Sequence, residues 1–409
     1  MNRRYFLSLL AGNSLILTGC QSWPVRELLN PCLSPRLPED LLQHPVVTAA
    51  LADLDTAQLW DGHVHLIGIG DNNSGLWVNP QMRSLFHPVQ YTQFLFYTNA
   101  ACTGSDINID ELYIQRLVEL NKTMPAGSRL MLLAFDYTYD EKGRRLVEQS
   151  AFHTPNDYAA RTAQQYPGHF EWIASIHPYR NDCVDALEQA VARGARAVKW
   201  LPPGMGINPA ARRCDRFYSA MNRLDLPLLT HGGEEKAIHG ANQRDYGNPL
   251  LLRNALDQGV RVIVAHCASL GSYPDIDIRV NRVNVESFDL FTRLMDEPQY
   301  EGLLYGEISA LTQTNRVGKA LATTLTRTDW HPRLINASDY PLPGVMPLFS
   351  LRQLVTKKYI NDEQAIILDK IRRHHALLFD LVLKRCLQAG GRKFADEVFH
   401  SRRIFDKNI

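Results

Sequence analysis

Short apolar runs alternate with longer amphipathic segments from about residue 59 onward. The runs have the length and the leucine-, valine- and isoleucine-rich composition of buried parallel strands, whereas the longer segments repeat apolar residues at helical spacing. Eight runs have this character: Leu59–Leu66, Arg129–Asp136, Trp172–His177, Ala195–Trp200, Leu226–His231, Val260–His266, Leu303–Glu307 and Arg333–Asp339. This alternation of strands and helices predicts an α/β fold.

Helices are predicted between these runs. The segments are Asp110–Leu120, Asp182–Arg193, Ala210–Leu224, Asn248–Gln258 and Val317–Thr326. Gly194 and Gly259 follow two of them, where a glycine commonly ends a helix. Eight strand–helix repeats in roughly 330 residues favour a (β/α)8 TIM barrel with insertions over an open, doubly wound sheet.

The N-terminus has the pattern of an export signal. Arg3 and Arg4 precede an apolar stretch, residues 5–17, that is too short to span a bilayer, and Leu-Thr-Gly-Cys follows. This tetrapeptide resembles the lipobox of bacterial lipoproteins, which implies lipidation of Cys20, and the arginine pair resembles a twin-arginine export signal. We expect an exported protein held by a lipid anchor on the periplasmic side of the inner or outer membrane.

The prolines then divide the chain. Five of them lie between residues 21 and 56, and no comparable linker follows. We therefore predict a signal peptide over residues 1–19, a proline-rich tether with one short helix over 20–56, and a single barrel domain over 57–409.

Composition narrows the functional classes only slightly. Hydrophobic residues at 45%, charged residues at 21% and a net charge of +1 describe an ordinary globular protein and give no reason to expect a nucleic-acid partner. The seven cysteines are widely spaced, without a Cys-x-x-Cys pair, which argues against a thiolate zinc site. One or two disulfides remain open, with no pairing indicated.

Polar side chains gather at the carboxyl ends of the predicted strands. They are His63, His65, His177, Lys199, His231, His266, Glu307 and Asp339. Two residues apart on one strand, His63 and His65 point to the same face and can reach one ion together. Since barrel active sites form where the carboxyl ends converge, the pattern predicts a metal site there.

The order of these residues resembles the amidohydrolase superfamily, in particular its phosphotriesterase-type and amidohydrolase-related subgroups. The shared pattern is His-x-His on the first strand, Lys on the fourth, His on the fifth and sixth and Asp on the eighth, and the resemblance extends from about Leu59 to Leu381. It implies a divalent metal cofactor, with two Zn²⁺ ions the first expectation. His63, His65 and Asp339 would hold the more buried ion, His231 and His266 the more exposed one, and a carboxylated Lys199 would bridge them.

The same resemblance implies hydrolysis of a small molecule by a metal-activated water. The bond would be an amide, a lactone or other ester, or a phosphoester, and Asp339 would transfer the proton. His177 and Glu307 are further candidates for orienting substrate. Two alternatives stay open: a decarboxylase with one metal and an unmodified Lys199, and a lipoprotein that binds metal without turnover. The oligomeric state is not indicated.

Two loops next to these strands carry further candidates. The loop from Gly68 to about Phe96 is rich in aromatic residues, among them Trp77 and Phe94, and we expect it to shape an aromatic-lined substrate site or to pack in the core. Glu234 and Glu235 follow His231 closely and are expected either to support the site or to be solvated.

Overall fold

The computed structural model describes residues 28–104, 107–235, 240–280 and 282–406. The expected signal peptide, Arg3, Arg4 and the predicted lipidation residue Cys20 lie outside these residues. Within the described part of the chain, no helix combines the length and the apolar character needed to cross a bilayer.

Eight parallel strands follow the predicted runs. They are β1 (Trp60–His65), β2 (Arg129–Leu133), β3 (Phe170–Ile173), β4 (Val198–Trp200), β5 (Leu228–His231), β6 (Val262–Ala265), β7 (Leu304–Glu307) and β8 (Leu334–Ile335). Each overlaps its predicted run. The third begins earlier than predicted and ends at Ile173, four residues before His177.

The strands form two parallel sheets. One has the order β1-β2-β3 and the other β8-β7-β6-β5-β4. Single parallel bridges connect their edges, from Ala174 to Val198 and from Val64 to Tyr340. The α/β class is therefore confirmed, whereas closure of all eight strands into one barrel stays a prediction.

Helices connect and cover the strands. The α-helices are α1 (Glu39–Leu42), α2 (Pro45–Leu51), α3 (Pro88–Ala100), α4 (Ile109–Lys122), α5 (Asn156–Gln165), α6 (Cys183–Ala192), α7 (Pro202–Met205), α8 (Asp215–Arg223), α9 (Arg253–Asp257), α10 (Ser287–Met295), α11 (Lys319–Thr326), α12 (Leu351–Thr356), α13 (Asp362–His374), α14 (Ala376–Cys386) and α15 (Arg402–Phe405). The predicted helix over 248–258 divides into a 3-10 turn, Pro249–Leu252, followed by α9. Asn248 caps that turn by accepting a hydrogen bond from the Leu250 amide.

Two short antiparallel pairs complete the secondary structure. Trp77–Val78 pairs with Phe152–His153, and Ser272–Pro274 pairs with Asn284–Glu286. The first pair joins the loop after β1 to the loop after β2, so both lie on the side of the carboxyl ends.

Alternation along the strands separates two buried clusters. Met131 and Leu133 of β2 belong to a small cluster formed by one face of the strands, while Leu130 and Leu132 face the larger core shared with the helices. The small cluster also contains Trp60, Ile173, Ala197, Leu229, Ile263, Ala265, Ile335, Ile404 and Phe405. Side chains in a strand repeat every two residues, so Lys199, after Ala197, and His231, after Leu229, share that face. The alternation along the strands therefore places Lys199 and His231 on the buried face that forms the small cluster.

The part of the predicted tether that is described packs against the domain. Leu41 and Val47 are buried in the main core, and a disulfide joins Cys32 to Cys102. The short helix expected in this segment is present as α2. The boundary of the tether at residue 56 stays a prediction.

Candidate metal centre

Four histidines converge at the carboxyl ends of three strands. His63 and His65 end β1, His231 ends β5, and His266 follows β6 directly. The centroid of the His63 ring lies 5.0 Å from that of His65, 5.7 Å from that of His231 and 5.5 Å from that of His266. Residues far apart in sequence thus form one compact group.

Three of these imidazoles are held through Nδ1. Glu307 Oε2 lies 3.0 Å from His63 Nδ1, and Glu235 Oε2 lies 3.1 Å from His231 Nδ1. Ser309 Oγ lies 2.7 Å from His266 Nδ1. A carboxylate only accepts hydrogen bonds, so Nδ1 of His63 and His231 carries the proton and Nε2 keeps its lone pair. This arrangement is typical of metal-binding histidines.

The Nε2 atoms face the middle of the group. His63 Nε2 lies 3.2 Å from His65 Nε2, and His231 Nε2 is buried without a hydrogen-bond partner among the described residues. Burial lowers the pKa of each of the four histidines, that of His65 to about 3. The imidazoles are therefore neutral near pH 7 and present lone pairs suited to a cation.

Asp339 spans the group with both carboxylate oxygens. Its Oδ1 lies 3.1 Å from His65 Nε2 and 3.4 Å from His63 Nε2, and its Oδ2 lies 3.7 Å from His266 Nε2. Burial raises the pKa of Asp339 to about 8. A cation held between the imidazoles would favour the ionised carboxylate.

The buried Asp61 fixes the approach of Asp339 to β1. Its Oδ1 accepts hydrogen bonds from the backbone amides of His63, at 3.2 Å, and Ser338, at 2.8 Å. One carboxylate oxygen therefore ties the His-x-His strand to the turn that carries Asp339.

Lys199 lies inside the group, as its strand position requires. Its side chain is fully buried, and Nζ lies 3.1 Å from His63 Nε2. Burial lowers the pKa of Lys199 to about 8. An amine with that pKa is neutral in an appreciable fraction of molecules near neutral pH.

The donors form two sets, each with one carboxylate. His63, His65 and Asp339 offer ligand atoms within 4.8 Å of one another, and His231, Glu235 and His266 form a second such set. Nitrogen and oxygen donors in this number suit zinc and similar divalent ions. The residues present therefore fit one or two such cations.

Glu235, which the sequence predicts either to support the site or to be solvated, contacts His231 and Arg316. Burial alone raises its pKa, but the hydrogen bond from His231 and the charge of Arg316 outweigh burial and hold the pKa well below its usual range. Arg316 Nη2 lies 4.0 Å from Glu235 Oε2. The spacing of Glu235, four residues after His231, was the available signal, whereas nothing in the sequence singled out Ser309 or Asp61.

His177 and Glu307, the two residues predicted to orient substrate, contact other parts of the protein. His177 Nε2 lies 3.0 Å from the Met205 carbonyl oxygen. Glu307 uses Oε2 for His63 and accepts a short hydrogen bond from the Ser309 amide at Oε1. Among the described residues that line the cavity beside the histidines, neither is present. Contact of His177 or Glu307 with substrate stays a prediction, and the structure assigns Glu307 a contact with His63.

A cavity opens onto the histidine group. It is partly open to solvent, and His65, His231, Glu235 and Asp339 line it. Apolar and aromatic side chains form most of the remaining wall: Leu66, Ile67, Trp77, Val78, Met82, Phe94, Tyr97, Phe152, Leu201, Pro341 and Leu342. The expectation that the loop from Gly68 shapes a pocket is confirmed for Trp77 and Phe94.

Comparison with protein families identifies one match. The model of the Amidohydro_2 family, described as amidohydrolase, matches residues 106–284. This range includes Lys199, His231 and His266, whereas His63, His65 and Asp339 lie outside it. No curated protein matches the chain.

Several solved structures are similar in outline. An uncharacterised TIM-barrel protein from Bordetella bronchiseptica is 16% identical, with 79% of this chain and 99% of that chain covered and a TM-score of 0.46. A probable 2-pyrone-4,6-dicarboxylic acid hydrolase from Acinetobacter baumannii is 13% identical, with 78% and 96% covered and a TM-score of 0.45. A 2,6-dihydroxybenzoate decarboxylase from Rhizobium is 12% identical, with 85% and 97% covered and a TM-score of 0.41.

Proposed function

We propose that this chain is a metal-dependent hydrolase of the amidohydrolase superfamily, built on a (β/α)8 barrel. The family match over residues 106–284 supports the family, and the two single bridges between the sheets support closure of the eight strands. The observation that carries the function is the convergence of His63, His65 and His266, through Nε2, on Lys199 and Asp339, with the His231 ring beside those of His63 and His266.

The proposed cofactor is a pair of divalent ions, with zinc the first expectation. His63, His65 and Asp339 would hold one ion, and His231 and His266 would hold the other. Carboxylation of Lys199 would supply a bridging ligand, and its burial and lowered pKa support this, because the neutral amine is the form that reacts with carbon dioxide.

Such ions supply Lewis acidity, which lowers the pKa of a water and polarises a carbonyl or phosphoryl oxygen. The protein supplies the proton transfer. Asp339 faces the cavity and contacts three imidazoles, so its carboxylate can take a proton from the attacking water and pass it to the leaving group. Glu307, Glu235 and Ser309 keep the imidazoles oriented during these steps. The bond cleaved would be an amide, ester, lactone or phosphoester of a small molecule.

We further propose that the protein is exported and anchored through Cys20. The lipobox-like tetrapeptide and the arginine pair support this location. The disulfide between Cys32 and Cys102 also supports it, because structural disulfides persist mainly in oxidising compartments.

Metal content per chain tests the proposed function. We expect about two zinc ions per chain in the purified protein and a loss of at least one in Lys199→Ala. Lys319→Ala, which changes an exposed lysine, should keep both ions. One ion per chain, unaffected by Lys199→Ala, would instead favour the mononuclear decarboxylase. Metal without turnover on an ester, lactone, amide and phosphoester panel would favour the binding protein, and a folded chain without metal would exclude the mechanism.

A further inference from the structure

The cavity beside the histidine group is lined mainly by apolar and aromatic side chains. We propose that it binds an uncharged substrate with an apolar aryl or alkyl body, whose ester, lactone or amide group lies at the histidine end. This inference rests on the proposed function and adds the substrate class. Trp77 and Phe152 are the residues that we assign to the preference for an apolar body.

The apolar wall of the cavity is built from paired and stacked elements. Trp77 and Phe152 lie on the two short strands that pair with each other, and both are partly exposed where they line the cavity. The Phe152 ring stacks on Phe135 with centroids 4.2 Å apart, and the Trp77 ring lies 5.8 Å from that of Tyr137. The wall is therefore held by aromatic contacts before any ligand binds, which favours binding of apolar groups.

This wall reaches the histidine group itself. The Phe152 ring lies edge-on to His65 with a centroid distance of 6.4 Å, and both line the cavity. A substrate whose reacting group approached His65 and Asp339 would place its neighbouring atoms against Phe152. The apolar body and the reacting group are thus recognised at adjacent positions.

The described residues that line the cavity include no lysine or arginine. Its acidic residues, Glu235 and Asp339, lie at the histidine end, where the proposed cations would also lie. The part of the cavity away from the histidines therefore has no cationic side chain among the described lining residues. Arg316 lies behind Glu235, where Nη1 donates a hydrogen bond to Ser269 Oγ at 3.0 Å. A carboxylate at the far end of a substrate would lose its hydration there without gaining a cationic partner, which is unfavourable.

The polar side chains of the wall supply no positive charge either. His153 is partly buried and stacks on the Tyr137 ring, with Nδ1 2.7 Å from the Phe135 carbonyl oxygen. Thr154 uses its hydroxyl to donate a hydrogen bond to the Leu66 carbonyl oxygen. Both groups are occupied by contacts within the protein, so the distal part of the cavity offers mainly apolar surface.

Two matched probes that differ only in distal charge test the inference. The first is 4-(4-methylphenyl)-2-butanone, which is uncharged and has no hydrolysable bond. The second has a carboxylate in place of the ring methyl group. Binding to the purified full chain is measured by isothermal titration calorimetry, and metal content is determined on the same preparations.

We expect the methyl probe to bind at least tenfold more tightly than the carboxylate probe. Trp77→Ala and Phe152→Ala should each weaken the methyl probe by roughly five- to tenfold, the loss expected for one aromatic contact. Phe86→Ala is the matched control, because Phe86 belongs to the same loop but is 93% exposed, and it should bind both probes as the wild type does. Trp77→Arg should improve binding of the carboxylate probe by supplying a cation.

Equal or tighter binding of the carboxylate probe by the wild-type protein would overturn the inference. The probes require no turnover, so the outcome is separable from the proposed function. Preference for the methyl probe in a protein without metal would leave the cavity assignment intact and refute the hydrolase. Two bound ions without that preference would refute only the substrate class.

Discussion

Substitution of Glu307 tests whether this carboxylate fixes the tautomer of His63 that can bind metal. Both partners of this fully buried carboxylate are N–H donors, His63 Nδ1 at Oε2 and the Ser309 amide at Oε1. In Glu307→Gln the side chain has almost the same shape but only one accepting oxygen. Its NH2 group must then face one of the two donors, or His63 must move its proton to Nε2 and lose the lone pair that would bind metal.

The size of the effect follows from these contacts. A buried donor left without an acceptor costs about 1–3 kcal/mol. Since the penalty falls on the tautomer that binds metal, we expect the affinity for the ion at His63 and His65 to fall about 10- to 100-fold. The ion at His231 and His266 should be less affected, because Ser309 Oγ can still hold His266 Nδ1.

Competition with a chromogenic chelator measures both affinities. The metal-free wild type, Glu307→Gln and the exposed control Glu301→Gln are titrated with Zn²⁺ at pH 7.5, and thermal unfolding of each metal-free protein verifies folding. Two distinguishable sites are expected, with only one weakened in Glu307→Gln. A folded Glu307→Gln protein that binds both ions with wild-type affinity would refute the assignment of Glu307 as the residue that orients His63.

Three further predictions concern proton transfer, the disulfide and pH. At saturating metal, Asp339→Asn should lower kcat about 10²- to 10⁴-fold, which is the usual contribution of a positioned acid or base. Measurement of kcat and metal content on the same preparation tests this prediction, and a near-normal kcat would contradict it. Because Cys32 and Cys102 are 70 residues apart, Cys32→Ser together with Cys102→Ser should lower the free energy of unfolding by about 2–4 kcal/mol in urea titrations, and an unchanged midpoint would contradict the contribution of the disulfide. Burial lowers the pKa of His375 to about 3, so its stabilising contribution is complete above its unfolded pKa of about 6.5 and is lost as pH falls towards 3. From pH 6.5 to 5 this loss is about 2 kcal/mol. His375→Asn retains an acceptor for the Leu378 amide, so its free energy of unfolding in urea titrations should fall less between pH 6.5 and 5 than that of the wild type. An equal fall in both proteins would refute the assignment of this pH dependence to His375.

The secondary structure was largely accessible from the sequence because local composition determines it. Runs such as Val260–His266 are largely apolar on both faces, as expected for a strand buried between two layers, and each of the eight runs overlaps a strand. The end of β3 differs from the prediction, because the apolar pattern continues to Ile176 although the strand ends at Ile173. Hydrogen bonds to the neighbouring strands set the end of β3, and the apolar pattern of the sequence carries no information about these bonds.

The proposed ligands were accessible for a related reason. Period-two alternation places His63 and His65 together, and parallel strands bring His231, His266 and Asp339 to the same end of the fold. What the sequence lacked was any signal for Ser309 or Asp61, and it left the role of Glu235 open. These residues act through hydrogen bonds across 43 positions for Ser309 and 277 for Asp61.

The α/β class, the order of the strands along the chain and the candidate metal ligands thus follow from the sequence alone, because they depend on residue type and short-range periodicity. Only the folded structure shows which nitrogen of His63 is held by Glu307, that Cys32 pairs with Cys102, and that Trp77 lines the cavity while Phe86 faces solvent. Each of these depends on where a loop is placed against distant parts of the chain. Loop placement follows from packing and hydrogen bonding across the whole fold, which local sequence patterns do not encode.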